Sequence, residues 1–204
     1  MTGNHHIRTL MVLALAVLSA CAAQLTAPDR ATLTVARQDI VVAAPAGLCI
    51  DPASIDVTRA GGFALITDCA LTTAAVTAPI QLNGVLTASV STGGIPGTLD
   101  DLEDFLTGPG VVTLGKSGAF DQIRVLATRQ TDNILFLKIE DKGDPIIPGG
   151  ANRFWRAFFE VKGRLVSASF VPFAADPVPD TRTRQILTDL ATATRAANAA
   201  QTSS

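Results

Sequence analysis

The chain has 204 residues, enough for one domain with a sizeable core. Apolar residues make up 48% of it and charged residues 17%, which argues against a disordered chain. The formal charge is −2 and no long basic run occurs, so the Lys/Arg density that neutralises phosphates in a nucleic-acid binder is missing.

His5, His6 and Arg8 give a weakly basic start, and residues 9–20 (TLMVLALAVLSA) follow as a short apolar run. A membrane span needs about 20 apolar residues, so this run is too short to cross comfortably. It ends in Leu18-Ser19-Ala20-Cys21, with an apolar residue at −3, small residues at −2 and −1, and cysteine at +1. That pattern resembles the lipobox of bacterial lipoproteins. The resemblance implies that residues 1–20 are a signal peptide and that Cys21 is acylated and becomes the new N-terminus. Its acyl chains would hold the protein on a membrane surface without spanning it. Two other readings stay open: a secretory leader cleaved without lipidation, and a buried apolar helix. Ala22, rather than Asp, follows the cysteine, which resembles an outer-membrane rather than an inner-membrane sorting signal. The expected address is therefore the bacterial cell envelope, lipid-anchored and facing the periplasm. Cleavage would also remove both histidines. A mature chain without histidine excludes Ser-His-Asp and Cys-His catalysis, and His-ligated zinc, copper or haem.

With Cys21 assigned to lipid, Cys49 and Cys69 read as one structural disulfide of an exported protein. The closed loop of about 20 residues is worth about 3 kcal/mol in the chain-entropy model. The rival reading, a redox pair, calls for C-x-x-C at a helix start.

Residues 21–31 read as a tether, residues 32–198 as one domain and residues 199–204 as a frayed tail. Residues 31–42 (ATLTVARQDIVV) alternate in part and suggest a first strand, followed by a turn at 43–47. Residues 51–62 look irregular, with Pro52, Gly61 and Gly62 as breakers. Residues 63–67 and 79–91 suggest two more strands, the second with a bulge at Asn83-Gly84. Thr98 caps a short helix whose face is Leu99, Leu102, Phe105 and Leu106, and Gly108-Pro109 ends it. Asp100, Asp101, Glu103 and Asp104 read as capping and a solvated face rather than a cation site.

Residues 122–128 and 134–140 flank 129–133 as an antiparallel hairpin. Residues 141–152 form a polar Pro/Gly-rich loop. Residues 154–161 and 165–171 flank Lys162-Gly163-Arg164 as a tight hairpin, with Trp155, Ala157, Phe159 and Val161 on its core face. A closing helix starts at Asp180 or Thr181, with Ile186, Leu187, Leu190, Ala193 and Ala197 as its buried stripe.

Residues 110–117 (GVVTLGKS) match the phosphate-loop pattern G-x-x-x-x-G-K-[ST] letter for letter. The context argues against it. The motif follows a capped helix instead of a buried strand, it leads into a strand instead of a helix, and Val111, Val112 and Leu114 are poor material for a phosphate nest. Residues 141–144 (DKGD) lack the periodic ligands of a calcium loop and read as a turn. Arg124, Arg153, Arg156 and Arg164 are the candidates for gripping an anionic ligand, against the plainer reading of a polar sheet face. No spacing singles out a catalytic carboxylate pair, and no cofactor or metal is expected.

Residues 134–140, the loop at 141–152, the hairpin around Lys162-Gly163-Arg164 and the closing helix resemble, in order, the C-terminal half of the PsbP-like fold, named for the P protein of the photosystem II oxygen-evolving complex. The resemblance implies an α+β architecture, an antiparallel sheet with helices packed on it, and a binding or assembly role rather than catalysis. The expectation is a non-enzymatic envelope lipoprotein that binds a protein partner or assists assembly in the periplasm. The alternative is a lipoprotein that binds a small ligand or metal ion, with a carboxylate-dependent enzyme a more remote one.

Overall fold

The alternation of the first predicted strand breaks at Ala36-Arg37, and there the chain turns back on itself. Strands β1 (Arg30–Val35) and β2 (Gln38–Ala43) form an antiparallel hairpin instead of the single strand expected over 31–42. Ala36 and Arg37 take φ of 47° and 65°, as a two-residue type I′ turn requires. The usual Asn-Gly signal for that turn is absent. The computed structural model describes residues 28–72, 82–114, 122–145 and 147–201. The domain starts earlier than residue 32. The carbonyls of Pro28 and Asp29 accept the N–H groups of Ile50 and Ala44, so residues 28–31 of the predicted tether belong to it.

Eight strands make one antiparallel sheet: β3 (Leu48–Ile50), β4 (Asp56–Thr58), β5 (Gly61–Asp68), β6 (Gly84–Ser91), β7 (Ile123–Thr131), β8 (Ile134–Asp141), β9 (Arg153–Val161) and β10 (Arg164–Pro172). The order is β3-β5-β6-β10-β9-β8-β7, and β4 pairs with β5 beside β3. Residues 51–62, expected to be irregular, contain a 3-10 turn at Pro52–Ser54 and strand β4. Gly84 opens β6 in regular register with β10, without the expected bulge. The bulge lies instead in β7, between Val125 and Ala127. Lys162-Gly163 forms the predicted tight turn, with Gly163 at φ 71°. The β7–β8 turn is Asp132-Asn133 alone, at φ 51° and 57°, shorter than the predicted 129–133.

The helices are a single turn α1 (Cys69–Thr72), α2 (Leu99–Thr107) and α3 (Asp180–Gln201). α2 begins at the predicted cap: the Asp101 N–H donates to Thr98 Oγ1 at 3.2 Å, and the Thr98 N–H donates to Asp101 Oδ2 at 2.8 Å. The backbone hydrogen bond from Thr98 is the main reason the Asp101 carboxyl is held below its ordinary range. Leu102 and Leu106 are buried, whereas Phe105 of the predicted face is half-exposed. α3 runs past the predicted fray point at 199.

Two cores lie on opposite faces of the sheet. On one face Ile66, Leu86, Val90, Phe136, Phe159 and Phe170 are covered by the β1–β2 hairpin and by α3. Trp155, Ala157, Phe159 and Val161 all point there, as their alternation predicts. Gly62 permits the hairpin's approach, because a Cβ there would sit 3.0 Å from Leu33 and 3.1 Å from Val35. On the other face Leu135, Leu137, Ile139, Phe154 and Phe158 pack under Leu102 and Leu106 of α2 and under Leu114. The outer edge of β2 finds its partners in α3. Asn198 accepts the Val41 N–H at 3.0 Å and donates to the Val41 carbonyl at 2.7 Å, and Thr194 accepts the Ala43 N–H at 3.2 Å. A disulfide joins Cys49 of β3 to Cys69, the first residue of α1, with Cα atoms 4.8 Å apart.

Candidate functional site

Among the described residues the second face of the sheet is covered unevenly, and this creates the site. α2 and the 3-10 turn Val111–Leu114 cover the β7–β9 side. Across β5, β6 and β10 the residues pointing to that face are only half-buried: Phe63 and Leu65, then Val85 and Thr87, then Leu165 and Ser167, with Ser89 exposed. Register places them in rows, Phe63 opposite Ser89 opposite Ser167, and Leu65 opposite Thr87 opposite Ser169. Small hydroxyl side chains therefore floor a trench, with the apolar rim of β5 on one side and Phe158 of β9 on the other. Three strand spacings separate those rims, about 14 Å. One end opens into a shallow groove of about 330 Å³ walled by Asp56, Phe63, Ser89, Leu165 and Ser167. A solvated sheet face ordinarily carries alternating polar residues. Phe63, Leu65, Val85 and Leu165 depart from that rule.

Arg156 stands at the other end of the trench. Its Nε donates to Ser169 Oγ at 2.7 Å and one terminal nitrogen donates to the Leu114 carbonyl at 3.0 Å. Burial pushes its pKa down to about 10, with the charge of Asp141 pulling the other way, so the guanidinium stays protonated at neutral pH. It also lies over the Phe154 ring, 5.6 Å from the centroid.

The four arginines singled out in the sequence do not converge. Arg124 and Arg153 both reach Glu140, at 3.9 and 2.7 Å. The hydrogen bond from Arg153 is the main cause of the lowered Glu140 pKa. Arg164 donates to the Gln38 side chain at 2.8 Å, at the far end of the same hairpin. Arg156 faces the opposite side of β9 from Arg153, because adjacent odd and even positions alternate. Among the described residues, no group of three or more His, Cys, Asp or Glu side chains converges on a metal position. Asp141 closes an Asx turn by accepting the Gly143 N–H at 2.9 Å, which is the turn expected of residues 141–144.

Residues 115–117 of the phosphate-loop match lie outside the described residues, as do Cys21 and the lipobox. The described part of the match is a 3-10 turn whose Val111 and Thr113 N–H groups donate to the carbonyls of Gly108 and Gly110. Those amides are therefore not turned toward a phosphate.

Sequence reading missed the trench. Its one signal was apolar character at both parities of residues 63–66, which implies two covered faces. No family model, curated protein or solved structure matches this chain. No described helix is long and apolar enough to cross a membrane.

Proposed function

We propose that this chain is a non-enzymatic lipoprotein of the bacterial cell envelope, anchored through Cys21, that binds a protein partner in the trench across β5, β6 and β10. The observation that carries the reading is a set of half-buried apolar residues, Phe63 and Leu65 on β5, Val85 on β6 and Leu165 on β10, set around a floor of Thr87, Ser89 and Ser167. Apolar side chains left partly open beside a packed core are the material of interaction sites. A trench about 14 Å between rims admits an α-helix of roughly 10–12 Å diameter. The fitting occupant is thus an amphipathic helix of the partner, its apolar ridge set against Phe63, Leu65 and Leu165.

The lipobox residues Leu18-Ser19-Ala20-Cys21 support the address. Residues 22–27 span at most roughly 20 Å, so the domain would work close to the membrane surface. The succession β8, polar loop, β9–β10 hairpin and closing α3 supports the PsbP-like resemblance, and it is that resemblance which implies binding or assembly.

The test is a blocking variant. Ser89→Arg with Ser167→Arg fills the trench floor with charge while leaving both cores untouched. Envelope proteins that co-purify stoichiometrically with the wild-type chain after crosslinking should be lost from the variant, with its thermal melt unchanged. Retention of the same partners by the blocked chain overturns the trench assignment. Cys21→Ser should release the protein from membranes, and continued attachment refutes the anchor.

A further inference from the structure

We propose that the cleft between the end of β7 and the first turns of α3 binds a phosphate group, gripped by Arg129 and Arg184. The cleft holds about 310 Å³, and its walls include Thr131, Phe136, Thr181, Gln185 and Thr188 beside the two arginines. It lies apart from the trench and does not depend on it.

The cleft holds unspent guanidinium donors. The other arginines of the sheet and of α3's second half are engaged: Arg124 and Arg153 with Glu140, Arg164 with Gln38, and Arg195 with the carbonyls of Asp132 and Asn133 at 2.9 and 2.8 Å. The guanidinium groups of Arg129 and Arg184 make no ion pair within 4.0 Å and no hydrogen bond among the described residues. Arg184 lies over the Trp155 ring, 4.8 Å from its centroid. Stacking of that kind fixes a guanidinium in place but consumes none of its five N–H groups.

The charge balance favours an anion. Asp180 also acts on Arg184, but its carboxylate is paired with Lys138 at 2.6 Å. Asp100 and Glu103 accept from the Gln130 amide at 2.8 and 2.7 Å, and neither forms part of the cleft wall. Two positive charges and the hydroxyls of Thr131 and Thr181 thus border the cleft, the Thr188 hydroxyl and the Gln185 amide being spent on the Arg184 carbonyl and Asp189, and no carboxylate lines it. Two guanidinium forks with added hydroxyls offer more donors than the two oxygens of a carboxylate can accept. A phosphate group presents three or more oxygens and suits bidentate arginine contacts. The volume leaves room for the group that carries it, which is either a soluble phosphate ester or a phospholipid headgroup.

Trp155 is the sole tryptophan, there is no tyrosine, and Arg184 lies on its ring, so tryptophan emission reports on the cleft through Arg184. The full chain carrying Cys21→Ser is titrated with inorganic phosphate at constant ionic strength, by emission and by calorimetry in parallel. The expected result is saturable binding, weakened at least tenfold by Arg129→Ala and unchanged by Arg124→Ala. Competition by phosphatidylglycerol vesicles, and not by phosphatidylcholine vesicles, assigns the group to a lipid headgroup; phosphate binding without vesicle competition assigns it to a soluble ester. Absence of saturable binding by both methods, or equal binding by Arg129→Ala, overturns the proposal.

Discussion

Asn198→Ala removes the contacts that take the place of a neighbouring strand for β2. The Asn198 amide accepts from the Val41 N–H at 3.0 Å and donates to the carbonyls of Val41 and Thr194, each at 2.7 Å. Asn198 is 3% exposed and Val41 6%, so water reaches neither end of this pairing in the folded protein. Truncation strands a backbone donor and a backbone acceptor, each costing about 1–3 kcal/mol when buried and unsatisfied. Some relaxation offsets this, and the expected loss is about 2–4 kcal/mol. Equilibrium urea unfolding, followed by Trp155 fluorescence with the disulfide oxidised throughout, measures it. Asn198→Leu separates packing from pairing, since it fills the space without the amide. If Asn198→Leu is as stable as the wild type, the polar strip is not what joins β2 to α3.

Ala36→Asn with Arg37→Gly installs the favoured residues of a type I′ turn where two other residues now hold positive φ, and should raise stability by about 1–2 kcal/mol in the same urea assay. A loss of stability would show that the hairpin turn is not of this kind. Reducing Cys49–Cys69, or replacing both residues with Ala, should cost about 3 kcal/mol for the 20-residue separation, seen as a lower urea midpoint. An unchanged midpoint contradicts that. Burial alone would raise the Asp180 pKa, but the hydrogen bond from Lys138, together with Trp155 and Arg184, outweighs it and the net shift is downward. A lowered folded value means a stabilisation present above the ordinary aspartate pKa near 3.8 and lost as pH falls through the folded value. Asp180→Asn should therefore remove part of the acid-side decline below about pH 4. Its side chain is 45% exposed, so solvent screening keeps the effect under about 1 kcal/mol, and a variant with the full wild-type decline refutes the assignment.

What the sequence made legible follows its local signals. The α2 cap, the Lys162-Gly163 turn and the stripe Ile186, Leu187, Leu190 each depend on residues close together in the chain. The Cys49–Cys69 bridge was readable because only two cysteines remained after Cys21. The β1–β2 hairpin escaped because Ala36-Arg37 carries no turn signal. Phe154 and Phe158 escaped as second-face core residues because alternation names one face and cannot say that another element covers the other. The trench needed strand order, which brings Ser89 beside Ser167 across 78 positions of sequence. The arginines chosen from the sequence were those in the clearest strands. Arg129 and Arg184 stand out only when partners are assigned, since the engaged side chains then leave these two with open donors.

The most direct test of the trench is site-specific photo-crosslinking in living cells. A photoreactive amino acid is placed at Ser89, on the trench floor, and separately at Ala199, on the exposed outer side of α3. Partner binding in the trench predicts one discrete envelope-protein adduct from position 89, mapped to an amphipathic helix of that protein, and none from position 199. Equal labelling from both positions, or no adduct from position 89 in correctly localised protein, contradicts it.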